Sequence, residues 1–241
     1  MSETSVDEAR RVLAVAAHPD DIEFGAAGTI ARWTDAGADV RYVIVTSGQR
    51  GVQDPDQDPE AFGRLREEEA RAAAKVCGVD QVTFLRYMDS EVAYGPRLLE
   101  DLSREFRRHQ PQRLLAMSPE QLPAGGFVNH PDHRAVGAAT LDVTITGGTT
   151  AAIFPDLVLR EGLQPWQGLE DIWLMGLGGN DEVVDVTATF ERKLAALEAH
   201  ASQMAQIPRD LRELLTRWLG EVGAPHGYRY AESFRVVRRR R

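Results

Sequence analysis

Cysteine is almost missing from this chain: Cys77 is the one instance in 241 residues. An intrachain disulfide is therefore impossible and a thiolate-rich metal site is excluded, which suits a reducing, cytoplasmic compartment. Cys77 itself falls on the apolar side of a helical segment and reads as core packing. Long hydrophobic runs are also lacking. No stretch approaches the roughly 20 apolar residues that a membrane span needs, and Met1–Arg10 is too polar and acidic for a secretory signal. Positive charge is in deficit, with 28 Lys and Arg against 37 Asp and Glu and a net charge of −9, so a phosphate backbone would be repelled and a nucleic-acid partner is disfavoured. Lysine is reduced to Lys75 and Lys193. The basic run Arg238–Arg241 at the end reads as a solvated terminus.

Two signature loops are absent as well. No G-x-G-x-x-G follows the first strand, where Asp20, Asp21 and Glu23 would repel a pyrophosphate, and no G-x-S-x-G occurs. A dinucleotide-binding module and a serine hydrolase are thereby set aside.

What remains is a soluble composition, 43% hydrophobic and 27% charged, long enough for one domain with a full core. Through about the first 140 residues short apolar runs alternate with helical patterns, the signature of βαβ units and a mostly parallel sheet. Strands are expected at Val12–Ala17, Val40–Thr46, Val82–Leu85 and Leu114–Met117. Helices are expected at Ala26–Ala36, Glu60–Cys77, Pro96–His109 and Pro131–Leu141. Asp58-Pro59-Glu60 supplies a cap, a first-turn proline and an early acid, and Gly78 ends that helix. Beyond 142 the pattern loosens into loops around Thr146–Thr150 and Gly162–Gly168. Strands at Asp171–Met175, Val183–Val186 and Ser233–Val237 and helices at Thr189–Gln203 and Pro208–Gly220 follow. The fold class is α/β: a Rossmann-like, mostly parallel sheet flanked by helices, with a smaller C-terminal α/β extension, 143–241, that covers the site or makes subunit contacts.

Two tetrapeptides carry the chemistry. His18-Pro19-Asp20-Asp21 closes the first apolar run, and His130-Pro131-Asp132-His133 follows the strand at 114–117 and a Gly125-Gly126 loop. Ligands of open parallel sheets bind at the carboxyl ends of strands, so both motifs belong to one rim. One such string alone reads as a helix cap; two at equivalent strand ends supply three imidazoles and three carboxylates, the inventory of a divalent-metal hydrolase. His18, His133 and one carboxylate from Asp20 or Asp21 would make three ligands with a fourth position open to water. The other acid would then be free to act as a base. His109 is expected exposed near a helix end, His226 in a Pro-His-Gly turn, and His200 in a structural hydrogen bond.

These residues resemble the PIG-L/LmbE-like metal-dependent N-deacetylases. Beyond the two motifs the resemblance includes Thr46-Ser47-Gly48, Arg66-x-x-Glu69, Asp89, Lys193 with His200-x-Ser202-Gln203, and Glu232-x-Phe234. It implies a Rossmann-like fold and Zn2+, or another divalent metal, on His18, Asp21 and His133. It further implies Asp20 as general base and His130 as the group that stabilises the oxyanion or protonates the leaving amine. The implied activity is removal of an acyl group, usually acetyl, from the 2-amino group of a glucosamine-containing small molecule, and the implied assembly is a homo-oligomer. The chain departs from some members, which place a Tyr shortly before the second motif, whereas Phe127-Val128-Asn129 stands here. Arg50 and Arg66 are candidates for holding a sugar hydroxyl or phosphate, although Arg66 could also pair with Glu69 along its helix. Two other readings are an amidase for a larger thiol or antibiotic conjugate, with an apolar mouth from Val143–Gln167, and a metal-containing binding protein without turnover.

Overall fold

The structure, a computed structural model, describes residues 11–52, 54–121, 128–175, 181–207 and 210–239. Gly125, Gly126 and Phe127, the first ten residues and the last two arginines lie outside the described residues.

Val12–Ala16 are each at most 3% exposed, as an apolar run without polar alternation requires of a strand covered on both faces. They form β1 (Arg11–Ala16), which pairs in parallel with β2 (Asp39–Thr46) on one side and β4 (Arg113–Met117) on the other. With β3 (Gln81–Tyr87), β5 (Asp171–Met175), β6 (Glu182–Asp185) and β7 (Ala231–Arg238), the seven strands stand in the order β3-β2-β1-β4-β5-β7-β6. Strands β1 to β5 are parallel, and β7 runs antiparallel to both β5 and β6. The chain builds outward from β1 through β2 and β3, then crosses back to lay β4 on the opposite side. That reversal opens a crevice above the carboxyl ends of β1 and β4, and both tetrapeptides lie there.

The helices are α1 (Asp21–Asp35), α2 (Pro59–Val76), α3 (Pro96–His109), α4 (Pro131–Val143), α5 (Pro155–Leu159), α6 (Phe190–Glu198), α7 (Ala201–Met204) and α8 (Leu211–Gly223). Among the described residues none is long and apolar enough to cross a membrane. Pro59 and Pro131 take first-turn positions, where a missing N–H costs no hydrogen bond. Helix α4 seats close to the end of β4 because residue 137 is glycine: a Cβ there would lie 2.6 Å from the Met117 carbonyl oxygen.

Several expectations need correction. Helix α1 begins at Asp21 rather than at 26, and α8 spans Leu211–Gly223, with Pro208 outside the described residues. The helix expected over Thr189–Gln203 is broken into α6 and α7 at His200, which is fully buried with Nε2 3.3 Å from Glu23 Oε2. His109 is not exposed: at 4% exposure its Nε2 lies 3.0 Å from the Val12 carbonyl oxygen, because α3 ends against the start of β1. The segment 144–167 does not form a mouth over the crevice. The buried Arg107 guanidinium donates to the carbonyls of Gly147, Thr150, Ile153 and Leu163, and Trp166 Nε1 donates to Pro111 O. These contacts hold the segment by the amino end of β4, opposite the motifs. Among the described C-terminal residues, Gln203 of α7 donates through Nε2 to Gly51 O in the loop after β2, Ser202 binds Glu69 of α2, and Arg235 of β7 pairs with Glu120 in the loop after β4. Cys77 is fully buried, as expected.

Candidate active site

The first motif leaves β1 through a tight turn. Thr46, at the end of β2, donates both its N–H and its hydroxyl to Ala17 O, fixing the point where the chain departs the sheet. His18 N then donates to Asp21 Oδ2 at 2.8 Å. Asp20 precedes α1 with φ 95°, a left-handed conformation uncommon for a residue with a Cβ. The second motif is the entry to α4. His130 is its N-cap, with Nδ1 accepting from Asp132 N at 3.3 Å, and His133 lies one turn in.

Three side chains converge. His18 Nδ1 lies 3.2 Å from His133 Nε2 and 3.5 Å from Asp21 Oδ2, and His133 Nε2 lies 3.1 Å from Asp21 Oδ1. Donors about 2.0–2.1 Å from a tetrahedral ion stand about 3.3–3.4 Å apart, so this triangle has the edge lengths of a zinc-type site. The outer ring nitrogens explain why these two point inward. His18 Nε2 is 3.3 Å from both Asp89 Oδ1 and Asp132 Oδ2, and His133 Nδ1 is 3.1 Å from Asn129 Oδ1. Facing acceptors, those nitrogens carry the protons, which leaves lone pairs on His18 Nδ1 and His133 Nε2 directed at the same point as a carboxylate. Such a set calls for a cation.

The surroundings favour a positive charge at this point. Burial alone would lower His18, but Asp132, Asp21 and Asp89 override it and hold the imidazole up at about 12, so that without a cation a proton takes the place on Nδ1 that the cation would take. Burial would raise Asp21, and His133 and His18 instead keep it well below the usual carboxylate range. Burial pushes Asp20 up to about 7 against the pull of Arg66. Burial and the charge on His18 lower His130.

A second set of donors, His18, Asp89 and Asp132, also lies within 4.8 Å of one another. Asp132 is fully buried and already accepts from Ser90 N and Val92 N, which leaves no face open to a substrate. It therefore serves to orient His18. His130 shares a cluster with His18 and His133, its ring 4.9 Å from that of His18. Its Nδ1 is occupied by Asp132 N, so its proton sits on Nε2.

Sequence reasoning gave the residues behind the two rings no role. Asp132 sits inside the recognised motif, Asn129 is one helical turn before His133, and Asp89 follows a strand of the same rim; position at the rim was the available signal. Of the two arginine candidates, Arg50 is 45% exposed on its side chain and braces the loop after β3, donating to Asp89 O and to Glu91. Arg66 is 3% exposed and turned beneath Asp20, toward Pro19 O and Gly48 O as well. It does not pair with Glu69, whose carboxylate is taken by Ser202.

Comparison with known proteins agrees with this geometry. Residues 13–144 match the PIG-L family, described as GlcNAc-PI de-N-acetylase. The chain is 30% identical over 235 residues to the diacetylchitobiose deacetylase of Thermococcus kodakarensis, covering 96% of this chain and 84% of that one. It is 28% identical over 294 residues to a 1D-myo-inositol 2-acetamido-2-deoxy-alpha-D-glucopyranoside deacetylase of Kineococcus radiotolerans, covering 96% and 78%. Among solved structures, the N,N'-diacetylchitobiose deacetylase of Pyrococcus horikoshii matches with a TM-score of 0.86 at 30% identity, over 98% of this chain and 86% of that one. The motifs, the rim that joins them and these relatives together place the chain in the PIG-L family of metal-dependent de-N-acetylases.

Proposed function

We propose that this protein hydrolyses the acetamide of an N-acetylglucosamine-type conjugate, with zinc as the cation. The observation that carries the reading is the triangle of His18 Nδ1, His133 Nε2 and the Asp21 carboxylate, with edges of 3.1–3.5 Å, flanked by an acid and an imidazole that are not needed as ligands. The cation, held by His18, Asp21 and His133, would polarise the amide carbonyl and lower the pKa of water.

The remaining work falls to the protein's own groups. Asp20, next in sequence to a ligand but directed elsewhere, takes a proton from the attacking water. The C–O bond forms as the carbonyl π bond shifts onto oxygen, and His130 donates its Nε2–H to that oxyanion. The C–N bond then breaks as nitrogen receives a proton, from Asp20 or from a protonated His130, and leaves as the free amine with the acid as the other product. Arg50, half-exposed at the rim, is suited to a hydroxyl of the substrate. A homo-oligomer in the cytoplasm completes the reading, and sedimentation checks the former. The large-conjugate reading required an apolar mouth from 143–167, a segment held at the other end of the sheet.

The test is acetate release from a panel of N-acetylglucosamine derivatives. Asp20→Ala should retain metal and lose turnover. Wild-type protein with full metal and no acetate release across the panel would defeat the proposal.

A further inference from the structure

Arg66 is a buried cation that its own helix does not neutralise. Neighbouring Glu67 is engaged by Ser47, Arg71 and Arg86, at 2.7, 3.2 and 2.8 Å, and Glu69 by Ser202. The guanidinium instead reaches two other segments. Nη2 donates to Pro19 O at 2.6 Å and to Asp20 Oδ2 at 3.2 Å, and Nη1 donates to Gly48 O at 2.9 Å.

The seat for this group is built into the loop after β2. A Cβ at Gly48 would lie 2.0 Å from Nη1, and one at Gly51 would lie 2.5 Å from it. Gly51 N closes the turn onto Gly48 O at 3.0 Å, and Gln203 of α7 and Gln206 just beyond that helix donate to Gly51 O, each at 3.0 Å. Two glycines thus leave room for one guanidinium, and a helix from the far end of the chain braces the loop that carries them.

What the guanidinium holds is the strained residue. Asp20 has φ 95° and its side chain makes no cap bond to α1, so the usual stabilisation of a short acid before a helix does not apply. Arg66 grips the carbonyl before Asp20 and the carboxylate of Asp20 together. A free Asp would relax out of this conformation and swing its carboxylate away.

We propose that Arg66 is a positioning residue for Asp20: its guanidinium fixes both the left-handed backbone and the direction of the carboxylate, from a seat formed by Gly48 and Gly51. The inference rests on Asp20 acting as the base in the function proposed above. Two simpler roles give different results. A structural staple would leave kcat unchanged in folded variants, and a grip on substrate would raise KM.

Arg66→Ala and Arg66→Lys are compared with wild type on an N-acetylglucosamine derivative that wild type turns over, with metal content measured by elemental analysis. Expected are a fall in kcat on the order of 100-fold, the cost of misplacing a reacting group by about 1 Å, little change in KM, and unchanged metal content. Guanidinium ion added to Arg66→Ala should restore part of kcat. A crystal structure of the variant should show Asp20 outside the left-handed region. Higher KM with kcat retained, unchanged kinetics, or lost kcat with Asp20 unmoved would each overturn the proposal. If Arg66→Ala does not fold, Arg66→Lys carries the same comparison. If wild type turns over no acylamino sugar, the deacetylase reading fails, and the Asp20 conformation in the variant crystal still decides whether Arg66 sets it.

Discussion

His18 Nδ1 and His133 Nε2 stand 3.2 Å apart while the opposite nitrogens of both rings are committed, His18 Nε2 to Asp89 and Asp132 and His133 Nδ1 to Asn129. Rings anchored from behind can meet in this way only around a positive charge. The fold supplies the anchoring from three different strand ends, so the cation would link β1, β3 and β4 at the crevice. Removing one ligand should empty the site without unfolding the domain. Elemental analysis of His18→Ala or His133→Ala should find a small fraction of the wild-type metal, with the far-UV circular dichroism preserved. Wild-type stoichiometry in either variant would contradict the assignment.

Asp132 does two jobs at once. It accepts from Ser90 N at 2.7 Å and Val92 N at 3.2 Å, and it fixes His18 through Nε2 at 3.3 Å. Asp132→Ala would leave two backbone N–H groups without that acceptor, at a cost of about 2–4 kcal/mol. Loss of the ring's anchor should also weaken metal binding by about 10–100-fold. Urea denaturation of the apo-protein measures the first effect, and competition with a chelator the second. A variant with wild-type values for both would show that Asp132 only fills space.

The sheet and the rim were legible because β1 and β4 are short apolar runs that end in the motifs, and a parallel strand buried on both faces has few other readings. The triangle itself was partly legible. Residue chemistry offered His18, His133 and either Asp20 or Asp21, and the choice between the acids came from resemblance to a family. What was not legible depends on contacts distant in sequence. His109 follows Arg107 and Arg108 at a helix end, a pattern that suggests solvent, yet the end abuts Val12. His200 sits within a helical pattern that breaks there as its ring turns toward Glu23. Arg107 gave no sign that it would gather four carbonyls and hold 147–163 at the amino end of the sheet.

Lys193, one of the two lysines, is fully buried. Its Nζ donates to Glu23 O at 2.9 Å, Phe24 O at 2.6 Å and Glu232 Oε1 at 2.7 Å. Glu232 also accepts from Gly28 N and Thr29 N of α1. Lys193→Met should destabilise by about 3–5 kcal/mol because it strands a buried carboxylate. Combining it with Glu232→Leu should not restore stability, since the α1 amides then lose their acceptor. A double-mutant cycle by chemical denaturation tests both statements. Recovery of wild-type stability in the double variant would show that those amides find other partners.

His109 makes stability depend on pH in a definite direction. Burial, with Arg41 adding to it, lowers this imidazole from its ordinary value of 6.5, while Asp39 and the hydrogen bond at Val12 O pull the other way. Between the folded value and 6.5 the unfolded chain binds more protons than the folded one, so stability rises with pH across that window. The contribution is complete above about 6.5 and is lost as pH falls toward the folded value. His109→Gln keeps a donor for Val12 O but cannot titrate. Denaturation midpoints measured from pH 7.5 down to pH 5.5, roughly the range in which a histidine changes charge, should fall less steeply for the variant than for wild type. Parallel slopes would mean that other groups dominate acid sensitivity in that range.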